Sequence, residues 1–220
     1  MFSRRVRAYT ETMSDKFDFK KELDAYRARH GEFTVVDLPE LQYLMLDGQG
    51  DPNDSAPFAA AIGALYSIAY TLKFASKRSL GRDYVVAPLE GLWWADDMSV
   101  FTGSGDKSSW RWTLLILTPD WIDADMFAGA VEQAKEKGKD EPELLDRVRL
   151  ERLAEGRCVQ TLHIGRFDDE ADVLARMHEE FIPDHGFRMT GRHHEIYLSD
   201  FRRVAPEKRR TILRQPVLPI

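Results

Sequence analysis

Apolar positions along the chain follow two rhythms, and the change from one to the other divides it into elements. FTVVDL (33–38) and QYLMLDGQG (42–50) carry β-branched and aromatic residues at strand spacing, with Pro39 between them. Residues 17–30 repeat at helical spacing instead and predict a short amphipathic helix ending near Gly31. Asp54 or Ser55 is a suitable cap for a helix with Pro57 in its first turn. That helix runs to about Ser76 and is apolar on nearly every side, so most of its surface should be covered. YVVAPLEGLWW (84–94) is extended, 96–109 is a polar loop with glycines, and WRWTLLILT (110–118) is a strand.

The second half repeats the alternation. Residues 122–137 and 142–148 predict helices, and 149–156 and 158–165 predict strands. Asp168 or Asp169 caps a helix that puts Val173, Leu174, Met177 and Phe181 on one face. Pro183 and Gly186 end it, and RMTGRHHEIYLSD (188–200) is again extended. The tail from Pro206, PEKRRTIL, is expected to be a short helix.

Two stretches share this plan. QYLMLDGQGDP, a helix and YVVAPLEGLWW parallel CVQTLHIGRFDD, a helix and RMTGRHHEIYLSD. In this alignment Gly48 matches Gly165 and Glu90 matches Glu195. A strand-helix-strand-strand unit has an open sheet edge and one apolar face, and two copies can join their sheets and cover that face. The expected fold is therefore α+β, with two pseudo-symmetric modules at about 33–118 and 149–217 in a single domain over 15–220. Residues 1–14 are expected to be a mis-called start or a disordered extension. Both glutamates fall in runs that should be half buried, where a carboxylate needs an answering charge or donor. By strand periodicity Glu195 shares a face with His193 and Tyr197, and Glu90 shares one with Leu92 and Trp94. Trp110 and Trp112 share a face of their own strand, whereas Trp93 and Trp94 point to opposite sides. Aromatic walls around a carboxylate suit a flat or cationic ligand.

Composition narrows the function. A net charge of -6, from 31 basic and 37 acidic residues, disfavours nucleic acid as a partner. The arginines and lysines at 202, 203, 208, 209, 210 and 214 are expected to form a solvated face. One cysteine, Cys158, excludes an internal disulfide and a cysteine-rich zinc site, and fits a reducing, cytoplasmic setting. His193 and His194 are adjacent on a strand and cannot chelate one ion together, so no metal and no cofactor are expected. The most apolar stretch, 57–72, is too short to cross a membrane, and no membrane partner is expected. A small molecule is the expected partner, and a homodimer is left open.

The chain resembles the GyrI-like small-molecule-binding domain family, which is built from duplicated strand-helix-strand-strand modules. The resemblance rests on Tyr84–Trp94, on the W-x-W strand and P-D-W turn between Trp110 and Trp121, and on His193–Lys208. It is strongest to a stand-alone bacterial branch that includes cyclopropanoid cyclopropyl hydrolases. Phe201 departs from that pattern, which has proline after LSD. The resemblance implies an aromatic cavity between the modules with a buried glutamate, here Glu195. It does not carry over DNA binding, since only about 30 residues precede the first strand. It implies hydrolysis of electrophilic cyclopropane-type xenobiotics as detoxification; the alternative is a non-catalytic protein that binds or sequesters lipophilic cations. In the hydrolytic reading Trp93, Trp94, Trp110, Trp112, Tyr197 and His193 hold the ligand. Tyr66 and Tyr70 donate to its carbonyl oxygen, and Glu195 and Glu90 are the acid/base pair in either order.

Overall fold

The alternating runs form one large antiparallel sheet. The structure, a computed structural model, describes residues 16–52, 56–95 and 109–220. Its strands are β1 (Thr34–Leu38), β2 (Leu41–Gln49), β3 (Leu89–Trp94), β4 (Arg111–Thr118), β5 (Arg149–Leu153), β6 (Gly156–Ile164), β7 (Phe187–Met189), β8 (His193–Tyr197) and β9 (Arg210–Pro219). The order across the sheet is β1-β6-β9-β8-β3-β4-β2-β5, with β7 on β9. The two halves meet at β3 and β8, so the strands that carry Glu90 and Glu195 are neighbours at its centre. The outermost strands are exchanged: β1 pairs with β6 of the second half, and β5 pairs with β2 of the first. The fold is α+β, two strand-helix-strand-strand modules forming one antiparallel sheet with helices packed on it.

Helix α2 (Ala56–Leu80) follows β2 and covers one half of one face. Phe58 meets Trp93 and Trp112 there, with ring centroids 6.0 and 5.1 Å apart. At 25 residues α2 is long and apolar enough to cross a bilayer by length and composition alone, but half of its most apolar window is buried in the protein. Helices α3 (Ala124–Glu136) and α4 (Pro142–Asp146) pack beside it. The other half of the same face lies under α5 (Glu170–Ala175), which widens into a π-turn at Arg176–Phe181 and ends in a single turn, α6 (Ile182–Asp184). Met177 and Ile182 there pack on Val159 and Leu213.

The opposite face of the sheet is covered by residues 17–30. The amphipathic pattern predicts one helix, but only α1 (Phe19–Glu22) and a 3-10 turn at Asp24–Tyr26 form. Backbone carbonyls of this segment serve side chains of the sheet: Arg214 donates to Ala25 O, and Gln160 to Arg27 O. A continuous helix would use those acceptors internally. The tail also differs. Pro206–Lys208 is a single 3-10 turn, and PEKRRTIL continues as strand β9. Its Thr211, Ile212, Leu213 and Arg214 alternate between the two faces, at strand rather than helical period. The cap at Asp54 or Ser55, the N-terminal extension 1–14 and all of the polar loop except residue 109 lie outside the described residues.

Candidate functional site

The pairing of β3 with β8 decides which side chains meet. Gly91 is opposite Glu195, Trp93 opposite His193, and Glu90 opposite Ile196. Directly paired residues point the same way, so Glu195, His193 and Trp93 share the helical face, while Glu90 and His194 share the other. The expected acid/base pair of Glu195 and Glu90 is thus corrected: the sheet separates them. The alignment of the two halves matched residues that lie on opposite faces, and a slip of one residue is enough to exchange the faces.

On the helical face, Glu195 keeps 17% of its side-chain surface exposed. Tyr197 donates to its Oε2 at 2.8 Å, and Trp93 Nε1 donates to the Tyr197 oxygen at 3.1 Å. His193 Nε2 stands 3.6 Å from Glu195 Oε1. Gly91 makes this possible, because a Cβ there would lie 2.8 Å from Trp93 Nε1. Trp110 packs edge-on to Trp93 at 5.9 Å. Trp112, fully buried, fills the space over Gly48. The aromatic wall continues through Phe167, 5.8 Å from Tyr197. Tyr66 is half-buried beside Tyr70, with ring centroids 6.2 Å apart, and burial raises its phenol above the ordinary range. Tyr70 is 49% exposed. Trp94 points to the opposite face, where the Arg192 guanidinium stacks 3.6 Å from its ring. Trp94 therefore stands apart from the Glu195 cluster.

Two further titratable groups lie close to Glu195. Glu170, at the start of α5, is 5% exposed, and its Oε1 has no hydrogen-bond partner among the described residues. Burial pushes its carboxyl well above the usual carboxylate range, and the Glu195 charge adds to this, while the Thr211 hydroxyl opposes it. His178 of the π-turn faces His193 with rings 6.2 Å apart. Burial, and secondarily His193, lowers His178 to about 4. Among the described residues no group of His, Cys, Asp and Glu side chains is arranged to hold a metal.

The other face is built differently. Glu90, 1% exposed, accepts from Tyr26 at 2.5 Å, and His194 Nε2 lies 2.9 Å from its second oxygen. His194 Nδ1 meets Glu155 at 2.9 Å, and Arg214 donates to the other Glu155 oxygen at 3.0 Å. Arg214 also reaches Gln160 and Ala25 O, at 3.2 and 2.6 Å. Arg214, expected on a solvated face, is instead fully buried. Burial opposes charge on His194, but Glu155 and Glu90 outweigh it and raise the imidazole to about 9. Burial likewise opposes charge on Glu155, yet His194 and Arg214 hold it down at about 2. Two carboxylates and two cations balance here. Cys158 lies fully buried nearby, raised to about 12 mainly by burial and by Glu155.

Sequence reasoning missed Tyr26, Glu155, Glu170 and Arg214. An arginine inside the apolar run TILRQPV was the available signal, since such a residue must find a carboxylate. Glu170 gave none, because an acidic residue in the first turn of a helix is ordinary. A cleft of about 450 Å³ lined by Phe17, Phe19, Gln42 and Trp121 contains none of the candidate residues.

A duplicated sheet with a carboxylate among aromatic rings at its centre belongs to the class of small-molecule-binding domains. The family profile described as GyrI-like small molecule binding domain matches residues 31–217, and the chain belongs to that family. Among solved structures, an uncharacterized conserved protein from Listeria innocua is 40% identical, with 92% of this chain and 100% of that one covered and a TM-score of 0.82. A hydrolase from Listeria innocua is 39% identical over 92% of this chain and 100% of its own, with a TM-score of 0.78. The EcmrR C-terminal domain is 12% identical over 86% of this chain and 98% of its own; its TM-score of 0.54 speaks to the fold alone. No curated protein matches.

Proposed function

We propose that this protein is a detoxifying hydrolase that binds flat, lipophilic small molecules on the helical face and adds water to an activated cyclopropane ring. The observation that carries this reading is Glu195, a partly exposed carboxyl group held by Tyr197 under an aromatic wall, with no lysine or arginine paired to it among the described residues. Arg192 and Arg203, its simplest neutralising partners, are engaged elsewhere, by Trp94 and Asp200. The similarity to a hydrolase from Listeria innocua supports hydrolytic chemistry.

Trp93 and Trp110 flank the ring system of the ligand. Glu195 takes a proton from a water whose oxygen attacks the cyclopropane methylene. The ring C–C bond breaks, and its electron pair moves into the conjugated carbonyl, whose oxygen ends as a hydroxyl. Tyr66 supports the charge that develops on that oxygen. The protein acts on such compounds in the cytoplasm.

The test is mass spectrometry of a cyclopropane-bearing alkylating agent incubated with catalytic amounts of protein. Wild type is expected to add one water over many turnovers, and Glu195→Gln to lose turnover while the compound still quenches tryptophan fluorescence. Quenching by wild type without turnover would overturn the hydrolase reading. Glu195 would then be a charge that selects lipophilic cations for sequestration.

A further inference from the structure

The proposed reaction needs a second proton-carrying group on the helical face, and Glu90 is on the wrong side of the sheet. We infer that Glu170 fills this role: it is the acid that protonates the carbonyl oxygen. This inference rests on the hydrolase reading and assigns its missing proton donor.

Three observations support it. Glu170 enters from α5, and the Phe167 ring just before it packs edge-on against Tyr197 at 5.8 Å. Its carboxyl lies against the Thr211 hydroxyl, and Thr211 is paired directly with Tyr197, whose hydroxyl donates to Glu195. The Tyr197 phenol is accordingly raised by burial, by Glu195 and also by Glu170. Finally, Glu170 Oε1 is buried without a hydrogen-bond partner among the described residues. An ionised carboxylate left so costs several kcal/mol, whereas a protonated one keeps a donor to offer. Arg209, a nearby cation, is turned away, its guanidinium over Phe167 and donating to Phe201 O. Two carboxyls in one site, one open and one dry, divide base and acid roles between them.

The proton balance closes. Glu195 gains the proton of the attacking water, and Glu170 gives its own to the carbonyl oxygen as the C–C bond electrons arrive there. After product leaves, Glu195 releases its proton to solvent and Glu170 takes one up. The net change is one water added, and no co-reactant is consumed. The titratable and charged groups that act on Glu170 are Glu195 and Tyr197 of β8 and Asp168 before it, and Arg209 lies over the neighbouring Phe167 ring.

The test is Glu170→Gln, which keeps size and neutrality but removes the proton. Expected is a loss of about 10²-fold or more in kcat. Fluorescence quenching by the cyclopropane compound should be retained, and the alkaline limb of the rate profile should vanish. Glu170→Asp should restore an alkaline limb. Turnover of Glu170→Gln within roughly threefold of wild type, with both limbs intact, would overturn the assignment and leave the hydrolase reading standing, since that loss is far below a general acid's contribution. Infrared difference spectra test the protonation that the role requires, separately from turnover. A protonated carboxyl band at neutral pH, absent from Glu170→Gln, is expected, and an ionised Glu170 would overturn the assignment.

Discussion

The two faces of the β3–β8 pair hold the same chemical groups to opposite ends. Each carries two carboxylic residues, histidine and a tyrosine. On the side covered by the N-terminal segment, Glu90 and Glu155 are answered by His194 and Arg214, and the network is closed to solvent. On the helical side, among the described residues, Glu170 and Glu195 have only neutral donors and a histidine 3.6 Å from Glu195, and Glu195 remains partly open. A satisfied network can fix strand register but has nothing left to offer a ligand. An unsatisfied one is a cost to folding that function has to justify, and a ligand can complete it. The comparison fits an architectural place for Glu90 and supports the catalytic role proposed for Glu195.

Removing one member from each face should break this symmetry most strongly. Arg214→Met leaves Glu155 buried with half of its cationic support, and stability should fall by about 3–5 kcal/mol, read by urea unfolding. An unchanged midpoint would show that the network does not hold the sheet together. Glu195→Gln should do the reverse. Its stability should shift by no more than about 1 kcal/mol, while turnover of the cyclopropane substrate should fall by about 10²–10⁴-fold.

The alternation around Glu195 was legible in the sequence, and so were β1 to β8, the long helix and the duplication, because period and turn residues are local properties. Which face Glu90 occupies was not. Two similar strands can be aligned one residue out with little loss of likeness, yet that residue exchanges core and site. The alternation within PEKRRTIL was also readable, but its run of charges favoured a surface helix. Only the partner Glu155, some 60 residues earlier in the chain, explains an arginine inside a buried strand. Such long-range compensation leaves no trace in local pattern. Glu170 was hidden for a related reason: its burial depends on how α5 sits over Thr211.

Stability as a function of pH should separate the faces more finely. His194 is raised from 6.5 to about 9, so its contribution is complete below 6.5 and is lost as pH climbs through 9. Glu155 is lowered from 4.5 to about 2, so its contribution is complete above 4.5 and is lost as pH drops through 2. The closed face should therefore be firmest between 4.5 and 6.5. Glu170 acts in the opposite sense to an ordinary paired carboxylate. Its raised folded value favours the folded state when protonated, and that advantage shrinks as pH rises above 4.5. Thermal melts should show an alkaline decline in wild type, a smaller decline in Glu170→Gln, and an intermediate one in Glu195→Gln, because the Glu195 charge helps to raise Glu170. Equal declines in wild type and Glu170→Gln would assign the whole effect to the closed face.

The smallest expected effect falls on the strip of backbone between the two clusters. Gly91 lies opposite Glu195, and a Cβ there would meet Trp93 Nε1 at 2.8 Å and the Tyr197 hydroxyl at 3.3 Å. Its backbone is ordinary strand, so Gly91→Ala adds no torsional strain, and only the contact matters. The indole must tilt away from Tyr197, and the bond that orients the Glu195 donor lengthens. Stability should fall by about 1 kcal/mol, as for modest overpacking. Ligand quenching of Trp93 and turnover should fall together, with the closed face untouched: the acid and alkaline transitions assigned to Glu155 and His194 should keep their positions. If Gly91→Ala instead moved those transitions, the sheet would be transmitting the change between its faces, and the two clusters would have to be treated as one coupled system.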